Sequence, residues 1–233
     1  FPYTTLFRSL LGELAGALAP PAAFSPRSAR RTFRIGMTDY VALLVLPPLL
    51  ERVRQEAPGI QLEACQVEQP EGLAIERGAL DLAVLLRVEE RPGLLQRPLF
   101  QDRFQCMVRA DHPAVGRRLT LERYLELSHL LISPQGHGPG FVDAALGQRG
   151  LSRHIALRLP YFVAAPLLIA RTDLVLTLPE RVAQALAPGL PLRLLPPPLE
   201  LGGFTMHLVW HERSQHDGGH RWLRELLCAT EGF

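Results

Sequence analysis

Two successive rounds of short apolar runs, each alternating with helix-spaced segments, constrain this chain more than any other feature. The first round lies within residues 31–109. A strand is predicted over 31–38 (RTFRIGMT). A helical stripe of Leu46, Leu49, Leu50 and Val53 follows and is stopped by Pro58 and Gly59. Next come a strand over 60–67, a short helix over 71–77 ended by Gly78, and a nearly continuous apolar run over 80–86 (LDLAVLL), the pattern of a strand buried on both faces. One or two strands occupy 94–109. The second round, within 110–206, opens with a helix over 119–127 for which Thr120 is a suitable N-cap. It continues with a strand over 130–133, a helix over 141–149 stopped by Gly150, a strand over 155–159, a helix over 163–171 and a strand over 174–178. Pro179 and Glu180 suit the first turn of the next helix, and a strand over 192–195 ends the round. A strand over 204–210 and a helix over 221–229, with Trp222, Leu223, Leu226 and Leu227 inward, close the chain. Such alternation implies parallel strands covered by helices, and its repetition implies an α/β protein of two halves. Two details complicate the first helix. Asp39 stands where a short acidic side chain caps a helix, and Pro47–Pro48 predicts a kink or a later start.

Composition narrows the class further. The 233 residues are 47% hydrophobic and 21% charged, which excludes disorder and low-complexity architectures. The net charge is +2 with every one of the 25 strong bases an Arg, too close to balance to announce a nucleic-acid surface. Cys65, Cys106 and Cys228 are odd in number and widely spaced, against both a disulfide framework and a metal knuckle; a reducing cytoplasm is the simplest setting. No apolar run has the length of a membrane span, so no membrane partner is expected. Residues 1–30 form an N-terminal stub. Residues 1–9 fit nothing that follows and read as an artefact. Leu10, Leu11, Leu14 and Leu18 give the stripe of a helix end, stopped by Pro20 and Pro21. A signal peptide (Arg8, then the apolar run to Ala19) is the other reading, with Glu13 and Pro20 against it.

In α/β sheets, ligands bind beyond the carboxyl ends of strands, and two facing halves would place those ends around one cleft. The candidates are therefore Thr38 and Asp39, Glu68, Arg87, the segment 133–137, the segment 160–162, and Thr177. No nucleotide loop, nucleophile elbow or zinc-protease motif is present. The run from Gly136 to Gly140 (GHGPG) follows a strand, and reads either as a ligand-side loop or as a plain turn. His207/His211 and His216/His220 show HxxxH spacing, but the first pair falls on a strand, where four residues span about 13 Å, too far to share one ion. Neither a metal site nor a cofactor is expected. Asp39 is more readily a helix cap than a general base, and Glu68 a strand-end acid without an obvious partner. His137, in the glycine loop, has an imidazole suited to bonding a carboxylate or phenol. Tyr161 and Phe162 have the faces to stack on an aromatic ligand, or simply pack the core.

The run Arg31 to Tyr40 followed by Leu46-Pro-Pro-Leu49 resembles the start of the effector-binding domain of LysR-type transcriptional regulators. The segments 78–83 (GALDLA), 106–113 (CMVRADHP), 173–179 (DLVLTLP) and 209–211 (VWH) before Trp222-Leu223 agree in order. Met37-Thr-Asp39, Gly136-His-Gly138 and Leu159-Pro-Tyr-Phe162 look most like the branch of nodulation regulators and of regulators of naphthalene, nitroaromatic and salicylate degradation. The resemblance implies two Rossmann-like lobes in a periplasmic-binding-protein type II architecture: lobe I from 31–109 and 207–233, lobe II from 110–206. It implies a small, aromatic effector bound between the lobes by Thr38, Asp39, His137, Tyr161, Phe162 and Thr177, with Glu68 offered by position. It further implies a homo-dimer or homo-tetramer, promoter DNA contacted through a winged helix-turn-helix not present in these residues, Leu10 to Leu18 as the end of a linker helix, and a cytoplasmic setting. Members of this branch commonly carry His where Tyr161 stands. An exported solute-binding protein of similar fold is the rival reading. An enzyme is the third, disfavoured by the lack of a nucleophile–base pair or metal set.

Overall fold

The computed structural model describes residues 24–67, 72–86 and 91–229; the leucine stripe of 10–18, Glu68 and Arg87 lie outside them. The first half begins with β1 (Arg31–Gly36), α1 (Asp39–Glu56), β2 (Ile60–Cys65), α2 (Leu73–Glu76) and β3 (Leu82–Leu86). β1 lies between β2 and β3 and is parallel to both, as βαβ alternation requires. The chain then enters β4 (Leu94–Arg109), a single strand of 16 residues.

The second half follows as α3 (Leu121–Glu126), β5 (Ser128–Ile132), α4 (Phe141–Gly147), β6 (His154–Leu159), α5 (Ala165–Ile169), β7 (Val175–Pro179), α6 (Glu180–Leu186) and β8 (Leu192–Leu195). Here β5 is the parallel centre between β6 and β7. The chain returns through β9 (Gly203–His211), a 3-10 turn (Glu212–Ser214) and α7 (Gly218–Ala229).

The alternation rule predicted parallel pairing throughout, and the long strands depart from it. β9 is antiparallel to β3 and to the first part of β4, from Leu94 to Arg103. From Phe104 onward β4 turns to antiparallel partners in the other half, β7 and β8. β4 thus passes through both halves and joins them into one sheet ordered β2-β1-β3-β9-β4-β7-β5-β6, with β8 beside β4. Pro98, which has no N–H to give, sits at the register shift between β4 and β9, where a proline is tolerated.

Local chemistry explains most element boundaries. Thr38, rather than Asp39, is the N-cap of α1, its hydroxyl accepting the N–H of Val41. Asp39 is the acid in the first turn, at the positive end of the helix. Pro47 and Pro48 lie inside the 18-residue helix, which runs through them. Of the predicted stripe Leu49 and Val53 are buried, but Leu50 is exposed; Tyr40, Val41 and Val45 complete the inward face. Thr120 caps α3. Pro179 ends β7 and precedes the first residue of α6. Trp222 is half-buried against Phe24, while Leu223, Leu226 and Leu227 are buried.

The largest core cluster runs from Phe33 and Ile35 under α1, through Leu82 and Leu208, to Leu176 and Val182. It is continuous across the two halves. A second cluster around Tyr124, Val142 and Leu146 fills the far side of the second half.

Candidate functional site

A cleft of about 600 Å³ opens where the carboxyl ends of β1, β3, β5, β6 and β7 converge, a volume suited to a small organic ligand. Thr38, Asp39, His137, Tyr161, Phe162 and Thr177 all line it. The structure therefore brings together six of the residues singled out from the sequence; Glu68 lies outside the described residues.

Each wall has a physical origin. On the first-half side, the turn after β1 presents Thr38 and Asp39. The carboxylate of Asp39 accepts its neighbour's N–H (Tyr40, 3.0 Å) through Oδ1 and the Val163 backbone N–H (2.9 Å) through Oδ2. It therefore ties the start of α1 to the segment before α5, in the opposite half. Close by, the buried Tyr40 hydroxyl donates to Asp102 Oδ2 at 2.7 Å. Asp102 lies on β4 just before the strand passes from one half to the other, and its Oδ1 accepts the backbone N–H of Arg103. Burial, then the bond to Asp102, pushes the Tyr40 hydroxyl far up, so it stays a neutral phenol.

The opposite rim is the glycine loop. Gly136 and Gly138 adopt positive φ, which non-glycine residues rarely do. Ser133 Oγ donates to the His137 carbonyl at 3.0 Å, and Arg158 donates to the Gly138 carbonyl at 2.7 Å. These bonds fix the loop backbone and leave the His137 side chain exposed at the cleft mouth. Tyr161 is also open, at 53% exposure, whereas Phe162 packs on Tyr40 with ring centroids 5.3 Å apart.

The aromatic floor was not legible beforehand. Phe104, on β4, lies 5.0 Å from Phe141 and 5.1 Å from Phe204 by ring centroids. All three line the cleft, and Phe141 remains 47% exposed. Phe141 directly follows the glycine loop, which was a usable signal. Phe104 and Phe204 stand on two antiparallel strands whose pairing no local pattern revealed.

Polar chemistry is concentrated on the second-half wall. Thr177 lies 2.8 Å from the Tyr124 hydroxyl and 3.3 Å from Cys106 Sγ. Arg153, which also lines the cleft, donates to the Tyr124 oxygen at 3.0 Å and pairs with Asp143 at 2.7 Å. Burial alone would raise the Asp143 carboxyl, but the Arg153 guanidinium more than offsets this and holds it below its usual value. Asp143 Oδ2 also accepts the Gly140 N–H at 2.9 Å, anchoring the end of the glycine loop. Neither Arg153 nor Tyr124 was singled out from the sequence: Arg153 sits in a connecting loop, and Tyr124 reads as an ordinary core residue.

The arrangement offers apolar rings for a flat ligand, a few hydrogen-bonding groups for orientation, and walls drawn from both halves. Such a site is suited to binding a ligand between the halves, and a shift between two arrangements of the halves needs only a ligand that prefers one of them.

Comparison with known proteins agrees. Residues 26–230 match the family described as the LysR substrate binding domain. The chain is 35% identical over 218 residues to the HTH-type transcriptional activator NagR of Ralstonia sp, covering 93% of this chain and 72% of NagR. It is 32% identical over 220 residues to the HTH-type transcriptional activator NahR of Pseudomonas putida, covering 94% of this chain and 73% of NahR. Among solved structures, a probable transcriptional regulator from Pseudomonas aeruginosa matches with a TM-score of 0.84 at 33% identity, over 95% of this chain and 73% of that one. The regulatory domain of MexT, a transcriptional activator in the same organism, matches with a TM-score of 0.75 at 32% identity, over 86% of this chain and 98% of that one. These are regulators, which favours that reading over an exported solute-binding protein. With its two-lobed, periplasmic-binding-protein type II fold, the chain belongs to the LysR family of transcriptional regulators and comprises its effector-binding domain.

Proposed function

We propose that the cleft takes a small aromatic effector, and that its occupancy governs a DNA-bound, oligomeric regulator in the cytoplasm. The observation that carries this reading is the cluster of Phe104, Phe141 and Phe204 rings lining a cleft of about 600 Å³. Aromatic faces in offset or tilted contact favour a flat ring over a flexible chain. Thr38, Asp39, His137, Tyr161, Phe162 and Thr177 are the proposed contacts. His137 and Tyr161 are the exposed ones, available to a ligand at the mouth.

The lobes are taken as residues 31–109 with 207–233, and 110–206. β4 and the return into β9 connect them, so an effector that touches both changes their mutual arrangement. That change would pass to a homo-dimer or homo-tetramer and from there to promoter DNA, through a helix-turn-helix in the part of the relatives that this chain does not span. An effector with equal affinity for both arrangements would shift nothing.

Calorimetric titration of the domain with phenols, benzoate-like acids and flavonoids tests the reading. Binding of at least one class, weakened by His137→Ala and by Phe141→Ala, is the expected result. No heat from any member of the panel would overturn it.

A further inference from the structure

The hydrogen bonds behind Thr177 have a direction, and that direction selects ligand chemistry. A guanidinium can only donate. Arg153, with its side chain only 2% exposed, gives one N–H to the Tyr124 oxygen at 3.0 Å. That phenol is completely buried and must place its own single proton. Among the described residues the remaining partner of the Tyr124 hydroxyl is Thr177 Oγ1, at 2.8 Å. Tyr124 therefore donates and Thr177 accepts. Thr177 then has its own proton left over. Its other neighbour is Cys106 Sγ at 3.3 Å, a thiol pushed up to about 11 by burial, and a thiol sulfur is a weak acceptor. Thr177 is also the half-open residue of β7, where Val175, Leu176, Leu178 and Pro179 are all buried. Thr177 is one of the residues that line the cleft.

We propose that Arg153 and Tyr124 are positioning residues that hold the Thr177 hydroxyl as a donor toward the cleft, so that the effector must present an acceptor oxygen there. This rests on the aromatic-effector reading and adds to it the chemistry of the ligand's polar end: a carbonyl, carboxylate or phenolic oxygen on the ring. Hydrogen bonds in a chain polarise one another, so the Arg153 charge sharpens the Thr177 donor without touching the ligand. A ring without such an oxygen would leave the donor on the sulfur and gain nothing from the wall.

The test compares two probes of one shape: acetophenone, and α-methylstyrene, in which C=CH2 replaces C=O. Benzoate serves as a charged acceptor. Dissociation constants are measured on the whole chain by ligand-detected NMR titration. The wild-type chain is expected to prefer acetophenone and benzoate over α-methylstyrene by about tenfold, the worth of one well-made hydrogen bond. Thr177→Val and Tyr124→Phe should each reduce that preference to about twofold, whereas Thr177→Ser, which keeps the hydroxyl, should retain it. A purely structural role for Tyr124 would weaken all three probes together and leave the ratio alone. An unchanged ratio in Tyr124→Phe and Thr177→Val overturns the proposal. If both rings bind the wild-type chain equally, the aromatic reading stands and the donor assignment falls. If no ring binds, the aromatic reading fails and this inference fails with it.

Discussion

Asp39 and Val163 meet across the cleft, the carboxylate Oδ2 of one accepting the backbone N–H of the other at 2.9 Å. The bond joins the first turn of α1 to the segment leading into α5, so it closes only when the two halves hold the observed arrangement. Asp39→Ala removes the acceptor for both this N–H and that of Tyr40. The expected cost is about 1–2 kcal/mol, a fall in Tm of roughly 2–8 °C for a chain of this size. Small-angle scattering should show a larger radius of gyration for the variant, with Asp39→Asn between it and wild type. A scattering curve identical for all three would sink the bridging role.

Gly36 ends β1 just before the cleft-lining Met37, and a methyl group there has nowhere to go. A Cβ at this position would stand 2.7 Å from Leu80 Cδ1, 3.0 Å from Val67 Cγ2 and 3.1 Å from Ala83 Cβ. Leu80 can swing aside, but Ala83 is fixed on the paired strand β3. Gly36→Ala should cost about 1–3 kcal/mol, as overpacking of a filled core does. Urea unfolding measures it; a midpoint equal to wild type would show that the strand end relaxes freely.

How much of this was readable beforehand depended on the range of the interaction responsible. The strand–helix alternation, the Thr120 cap and the gathering of Thr38, His137 and Thr177 at strand ends follow from local periodicity and from the geometry of parallel units. Thr38 replaced Asp39 as the α1 cap because adjacent residues both suit the role and only the backbone decides between them. Pro47 and Pro48 stayed inside a helix because burial of Tyr40, Val41, Val45, Leu49 and Val53 on one face outweighs the local penalty. The antiparallel β9, the aromatic floor and the Arg153–Tyr124–Thr177 chain depend on contacts between residues tens of positions apart. Arg153 reads as one surface arginine among 25, and only the packed structure shows it buried beside Asp143.

That buried pair supplies its own prediction. The Arg153 side chain is 2% exposed and that of Asp143 22%. Removing the cation by Arg153→Met strands the carboxylate and leaves Tyr124 without its donor. A loss of about 2–4 kcal/mol is expected, somewhat below the range for a fully buried pair because Asp143 keeps some water. Adding Asp143→Asn neutralises the stranded charge and should recover part of the loss. Guanidinium melts of the single and double variants check this; a double variant less stable than the single would refute the pairing energetics.

His129 makes the domain acid-sensitive for a reason visible in its two ring nitrogens. Nε2 lies 2.7 Å from the Tyr124 carbonyl, which can only accept, so this nitrogen carries the proton. Nδ1 is buried and, among the described residues, has no hydrogen-bond partner. A second proton would create a buried charge with no acceptor for it among the described residues, and burial accordingly pushes the imidazole down to about 4 from the usual 6.5. As pH falls from about 6.5 toward 4, the unfolded chain therefore binds a proton that the folded chain refuses, and the stability present above that window is lost within it. The total is about 3 kcal/mol. His220, whose Nδ1 accepts from Arg224 and whose Nε2 faces the Asp81 carbonyl, is also held below its usual value by burial and acts in the same direction. His129→Gln keeps a donor for the Tyr124 carbonyl but does not titrate. Urea unfolding at half-unit intervals should give a shallower decline for this variant between about pH 6.5 and 4. Parallel curves would mean that the His129 site takes its proton without cost.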